Sequence, residues 1–231
     1  MRKTHVLINA DDFGLTSGVN TGILDSHLNG IVNSATMIMN GYAVDEAVTM
    51  AKQYPSLHVG VHLALTWGRP LAKTSGPLTK EDGTFCYTNR FLTEVAPDAE
   101  LVYLEWKAQI EAFRATGLPL HHLDSHHHVH GWPALAPVIF RLAEEYDTTF
   151  RALTTLDARR DLWVTERFSD AFYGAGVTRE TLDLIQPGDS IEVMVHPADF
   201  DEILPSVTSY LDKRMVEKEL LKSYQRPHWW A

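Results

Sequence analysis

Ile8-Asn9-Ala10-Asp11-Asp12-Phe13-Gly14 decides how this chain is read. A short apolar run closing on two adjacent carboxylates and a glycine reads as a buried strand whose end carries chemistry. Neighbouring carboxylates repel, so a fold that brings them near its interior must hold a proton on one of them or supply a cation. A bound metal ion is the simplest resolution. Successive side chains of a regular strand point to opposite faces, so aiming both acids into one pocket requires the strand to break or twist at Asp11, with Gly14 as an aid.

Working outward, residues 6–9 form the strand, and Thr16 or Ser17 offers an N-cap to an amphipathic helix over about 19–28, closed by Asn29-Gly30. The unit repeats, with an apolar run at 34–39 and a helix at 43–54 stopped by Pro55. Residues 58–65 alternate Val59, Val61, Leu63 and Leu65 against Gly60, His62 and Ala64, a third strand with His62 inside it. From Trp67 to about Asn89 periodicity is lost, which predicts a surface excursion, a lid or a substrate wall. The longest helical pattern covers 98–116, with Leu101, Leu104, Ala108, Ile110, Ala112 and Phe113 as its apolar face. A strand at 120–125 leads into His126-His127-His128-Val129-His130, followed by a helix entered at Pro133 and ending near Tyr146. Residues 150–153 are a brief strand carrying Arg151, 178–185 a helix, 191–195 a strand ending at His196-Pro197, and 210–223 a charged amphipathic helix.

Alternating strands and helices predict an α/β fold with mostly parallel strands and right-handed crossovers, closed as a barrel or doubly wound. Asp11, Asp12, His126, Arg151 and His196 all fall at C-terminal ends of predicted strands, where barrel active sites collect. The expected organisation is one domain over 1–231.

Composition narrows the partners. A net charge of -10 disfavours nucleic acid and anionic membrane surfaces, since phosphate binding rests on Lys and Arg. Cys86 is the single cysteine, so neither an intramolecular disulfide nor a thiolate metal cage is available. Only five mostly apolar residues precede the acidic pair after His5, too few for a signal-peptide core or a membrane span, and the expected location is cytoplasmic.

A carboxylate with two imidazoles is a recurrent set for a catalytic divalent ion, and Asp12, His62 and His126 can supply it. Asp11 is then free to act as general base on water, His196 to protonate a leaving amine, and Arg151 to orient or tune Asp11. Base, metal and acid describe hydrolysis of an amide or ester. Each residue taken alone has a plainer reading: an acidic pair is usually a solvated turn or N-cap, and a strand histidine is usually a hydrogen-bonded core or surface residue. Arg151 alone is more often an ion-pair partner than a catalytic group. The histidine tract is harder to dismiss, because such tracts often bind metal.

Several stretches together carry a resemblance. Asn-Ala-Asp-Asp-Phe-Gly at 9–14, Gly-Ile-Val-Asn-Ser at 30–34, Gly-Val-His-Leu-Ala-Leu-Thr at 60–66, His-Leu-Asp-Ser-His-His-His-Val-His at 122–130, Ala-Phe-Tyr-Gly at 171–174 and Glu-Val-Met-Val-His-Pro-Ala at 192–198 resemble the YdjC-like carbohydrate deacetylases. The resemblance implies a (β/α) barrel-like fold of the glycoside hydrolase/deacetylase type. It also implies metal-dependent removal of an acetyl group from N-acetylated sugars, with short chito-oligosaccharides the leading substrates. Carried over position by position, it makes Asp11 the base, Asp12, His62 and His126 the metal ligands, and His196 the acid. The resemblance implies one divalent metal ion, Mg2+ or Zn2+; histidine ligation favours zinc or another transition metal over magnesium, and the choice of ion is left open. A small acetylated sugar is the expected partner, with a homodimer as the candidate assembly. The rival readings are a metal-independent glycosidase using a carboxylate pair and a non-catalytic sugar-binding module. Neither the excursion at 67–89 nor the Trp-rich tail has a counterpart that can be carried over.

Overall fold

The computed structural model describes residues 4–74 and 76–230. Its elements are, in order, β1 (His5–Phe13), α1 (Ser17–Leu28), β2 (Ser34–Met37), α2 (Val44–Gln53), β3 (His58–Leu63), α3 (Ala99–Ala115), β4 (His122–Ser125), α4 (Ala136–Glu145), β5 (Thr149–Phe150), β6 (Arg167–Ser169), α5 (Arg179–Asp183), β7 (Ser190–Val195), α6 (Leu204–Val207) and α7 (Leu211–Ser223), with short 3-10 turns between them. The strands form one sheet in the order β5-β4-β3-β2-β1-β7-β6, every pair parallel. The expected α/β class and barrel-like architecture are what is observed.

One ion pair shows how far this sheet curls. Laid flat, β5 and β7 would stand five spacings of about 4.8 Å apart, roughly 24 Å. Yet Arg151, next after β5, places Nη2 2.7 Å from Glu192 Oε1 of β7. Two side chains can bridge that separation only if the sheet rolls on itself, so the structure is a barrel-like trough with an open seam between β5 and β6.

Rolling sorts the alternating side chains. Val6, Ile8 and Ala10 of β1, Val59, Val61 and Leu63 of β3, and Val193 and Val195 of β7 are buried on the outer face, beneath the helices. The inner face carries Asn9, Asp11, Thr36, His62, His122, Asp124 and Glu192, all at most 2% exposed. A lining this polar is costly unless each group finds a partner, and that requirement positions the site.

The elements depart from expectation in instructive places. β3 stops at Leu63 because the Gln109 side chain takes both backbone groups of Ala64, at 2.8 and 2.9 Å, so His62 is the penultimate strand residue. In α3 the buried stripe is Val102, Trp106, Ile110 and Phe113 with polar Glu105 and Gln109, while Leu104 is 38% exposed. The polar pair has work to do: Glu105 accepts from the N–H groups of Leu71 and Ala72 and pins the start of the 67–89 excursion. That excursion packs Leu78 and Phe85 and closes an antiparallel bridge between Thr79 and Phe85, so among its described residues it is a fixed wall. Pro133 opens a 3-10 turn, and α4 begins at Ala136. Strand β6, three residues flanked by polar ones, has no apolar pattern to announce it. No helix among the described residues is long and apolar enough to cross a membrane.

Candidate active site

The acidic pair sits on a real break in β1. The β1–β2 register shifts between Ala10 and Phe13, and Asp12 takes φ 70, a left-handed conformation in which Asp is among the tolerated residues. The turn is held by the Leu15 N–H donating to the Asp12 carbonyl and by the Gly14 N–H (φ 92) donating to Asn20 Oδ1. With the alternation broken, Asp11 and Asp12 both line one cavity of about 420 Å³ at the C-terminal end of the sheet.

Asp12, 1% exposed, gathers two histidines. Its Oδ1 lies 3.0 Å from His126 Nδ1 and 3.4 Å from His62 Nε2. Ligand atoms held about 2.0–2.1 Å from one ion stand about 3.0–3.4 Å apart in octahedral or tetrahedral geometry, so these spacings fit a shared divalent cation. The other nitrogen of His62, Nδ1, is 2.8 Å from Asp124 Oδ1, and Thr36 Oγ1 donates to the second Asp124 oxygen at 2.9 Å. A carboxylate behind a histidine fixes ring orientation and tautomer, as it does behind metal-bound imidazoles. Burial alone would lower the His62 imidazole, but Asp124, Asp12 and Asp11 raise it to about 10.

Asp11 is built into a different set. Arg151, 0% exposed, donates to both its oxygens at 2.8 and 2.6 Å, and Asn9 Nδ2 adds a bond at 2.9 Å. Burial pushes the Asp11 carboxyl up, yet Arg151 outweighs it and holds the group well below the usual carboxylate range. The same guanidinium reaches Asp124 Oδ2 and Glu192 Oε1, each at 2.7 Å, and lies over the Phe168 ring at 4.7 Å. Burial pushes Glu192 up to about 7 against the pull of Arg151, and burial beside His121 and Arg151 keeps His122 neutral.

Every candidate named from sequence therefore falls in this region: Asp12, His62 and His126 around one point, Asp11 beside them on Arg151, and His196 on the same cavity wall. The histidine tract divides its duties. Two consecutive left-handed residues, His127 (φ 56) and His128 (φ 58), splay it. His126 faces Asp12, His127 Nδ1 meets Thr66 Oγ1 at 3.0 Å, His128 lies against Phe168, and buried His130 bonds Ser125 Oγ through Nδ1 at 2.5 Å. Strain of this kind concentrates at functional sites.

Sequence reasoning missed the contribution of α7. Arg214, 4% exposed, donates from Nη2 to Asp12 Oδ2 at 2.5 Å, which together with His126 holds Asp12 well below its ordinary range despite burial. One turn on, buried Glu217 accepts the backbone N–H of His196. Burial, with Arg214 nearby, lowers the His196 imidazole to about 4. Arg214, Glu217 and Leu221 recur at helical spacing on the inward face of α7, the one signal by which a charged helix could have been read as part of the site.

A family model for YdjC-like proteins matches residues 5–231. A carbohydrate deacetylase of Oceanobacillus iheyensis is 43% identical over 226 residues, covering 97% of this chain and 98% of that protein. A carbohydrate deacetylase of Vibrio campbellii is 43% identical over 224 residues, 94% of this chain and 88% of that protein. Among solved structures, an Enterococcus faecalis protein described as a cellobiose-phosphate cleavage protein superposes with a TM-score of 0.87 at 34% identity, covering 96% of this chain and 91% of that one.

Proposed function

Because the chain belongs to the YdjC-like protein family, we propose that it is a metal-dependent hydrolase that removes the N-acetyl group from N-acetylglucosamine-type sugars, short chito-oligosaccharides foremost. The observation that carries this reading is the convergence of Asp12 Oδ1, His62 Nε2 and His126 Nδ1 beside an ionised, arginine-held Asp11. Relatives that share 43% identity are carbohydrate deacetylases, which supports the acetylated sugar as substrate.

Asp12, His62 and His126 would hold a divalent ion, which would supply Lewis acidity to the acetyl carbonyl and to water. Two imidazoles and one carboxylate favour zinc over magnesium, which prefers all-oxygen shells. Asp11 accepts the proton of the attacking water, and Arg151 keeps that carboxylate ionised and aimed. Arg214 occupies Asp12 Oδ2 and so leaves Oδ1 to the histidine side. His196, lowered to about 4, starts turnover neutral and serves as acid by relaying the proton that Asp11 took from water to the nitrogen as the C–N bond breaks, which returns Asp11 to its carboxylate form. Acetate and a free amine result. A net charge of -10 and a single cysteine support a small neutral substrate and a cytoplasmic setting.

Asp11→Asn tests the assignment. The variant is expected to retain one ion per chain while turnover falls by about 10²–10⁴-fold, the range for loss of a general base. Full acetate release by this variant would remove Asp11 from the mechanism.

A further inference from the structure

The cavity has aromatic groups on two of its sides, and no step above uses them. On the His126 side, partly exposed Trp67 stands edge-on to the imidazole, with ring centroids 6.4 Å apart, and to Tyr42 at 5.8 Å. On the His196 side stands Tyr173, 47% exposed and 5.6 Å from that imidazole at 69°. One face of Tyr173 is covered by Tyr210 in a near-parallel stack, 4.1 Å between centroids and 14° between planes. The supporting ring is itself fixed, because its hydroxyl accepts the Gly174 N–H at 2.8 Å and pairs with Glu217.

A ring with one face covered and nearly half its surface exposed presents its other face outward, and Tyr173 lines the cavity. That leaves an aromatic face on the cavity wall open to a stacking ligand. The apolar C–H face of a pyranose is complementary to such a surface, and a platform held rigid from below loses little entropy on binding. Trp67 is flanked by His126 and Tyr42 through edge contacts, at 63° and 84°, where Tyr173 is backed by a parallel ring.

We propose that Tyr173 and Trp67 are two sugar-stacking platforms, one on each side of the reacting groups. The inference rests on the deacetylase reading. The leaving nitrogen is attached to the reacting ring, so that ring sits beside His196, on Tyr173. The neighbouring sugar unit then lies on Trp67, on the His126 side. The cleft therefore selects a chain of at least two pyranose units over a monosaccharide.

Acetate release from N-acetylglucosamine, diacetylchitobiose and triacetylchitotriose, measured on the zinc-loaded parent, Trp67→Ala and Tyr173→Ala, tests this. The parent is expected to favour the disaccharide over the monosaccharide by about five- to tenfold in kcat/KM, the scale of one aromatic stacking contact. Trp67→Ala erases that preference by raising KM for the disaccharide and trisaccharide more than for the monosaccharide, and Trp67→Phe restores part of it. Tyr173→Ala raises KM for all three sugars alike, and Tyr173→Phe recovers most of the loss. The proposal is overturned if Trp67→Ala keeps the chain-length preference, or if Tyr173→Ala leaves the monosaccharide KM unchanged. Titration of diacetylchitobiose into Asp11→Asn backgrounds separates this inference from the function it rests on. Should the parent release no acetate from any of the sugars, the deacetylase reading fails. The platforms are then sustained if both alanine variants weaken binding and overturned if binding is unchanged.

Discussion

Two groups of acids and histidines lie one layer apart in this sheet and use the same residue types to opposite ends. At the rim, His62 Nε2 and His126 Nδ1 both meet Asp12 Oδ1 around a common point on the cavity. In the layer beneath, Asp11, Asp124 and Glu192 close around the guanidinium of Arg151, which the chain itself supplies. Asp124 belongs to both, holding His62 from below and Arg151 from the side. The difference teaches that residue identity does not separate a metal site from a structural ion network; the cation at the centre does. The inner network already holds the Arg151 guanidinium at its centre, with Glu192 Oε2 and His122 Nε2 left without a hydrogen-bond partner, and the rim presents three donors that could hold a metal ion.

The sharpest way to break this contrast is to remove the inner cation. Arg151→Met leaves buried carboxylates uncompensated and is expected to destabilise the fold by about 3–5 kcal/mol, read by denaturant unfolding. A loss below about 1 kcal/mol would mean that the layer is not organised by Arg151. At the rim the balance is reversed. His126→Ala, at a partly exposed position, is expected to lower zinc affinity by at least about 10²-fold in a chelator competition, with unfolding of the metal-free protein within about 1 kcal/mol of the parent. Between the two, Asp124→Asn keeps a hydrogen bond to His62 but not the charge, and zinc affinity is expected to fall about 10–100-fold.

A smaller effect, in pH, tests both layers together in the metal-free protein. His121, His122, His130 and His196 are held neutral by burial, so the unfolded chain binds more protons below pH 6.5 and stability drops as pH falls toward about 4. Glu192 and Glu217, raised to about 7, pull the other way between 4.5 and 7, but they are outnumbered. Above neutrality His62 dominates: raised to about 10, its contribution is complete below pH 6.5 and is lost as pH climbs through 10. Thermal unfolding should therefore show a maximum near neutral pH and a decline toward both sides. Zinc should flatten the alkaline decline, because it replaces the proton on His62.

Much of this is legible in the sequence. The strand-helix alternation and the polar residues at strand ends pointed to a barrel-like α/β fold, and the required break at Asp11 is present as the left-handed turn at Asp12. The six named candidates lie together because the rolled sheet converges its strand ends. What stayed hidden depended on contacts that local pattern does not encode. Asp124 and Glu192 look like ordinary strand residues until the sheet closes on Arg151. Arg214 and Glu217 sit in a helix whose composition suggests a solvated surface, yet Arg214 reaches Asp12 across 202 positions of sequence. The buried stripe of α3 was misplaced because Glu105 and Gln109 face inward to hold neighbouring backbone, a demand set by the 67–89 wall and by Ala64.

The rim could hold a divalent ion where the inner layer already holds Arg151. The most direct test of that difference is acetate release from diacetylchitobiose by chelated protein as zinc is added back. Activity should be absent at the start and rise to a plateau at one ion per chain, with His126→Ala requiring far higher zinc. Full activity in the chelated protein, or recovery indifferent to His126, would contradict the account.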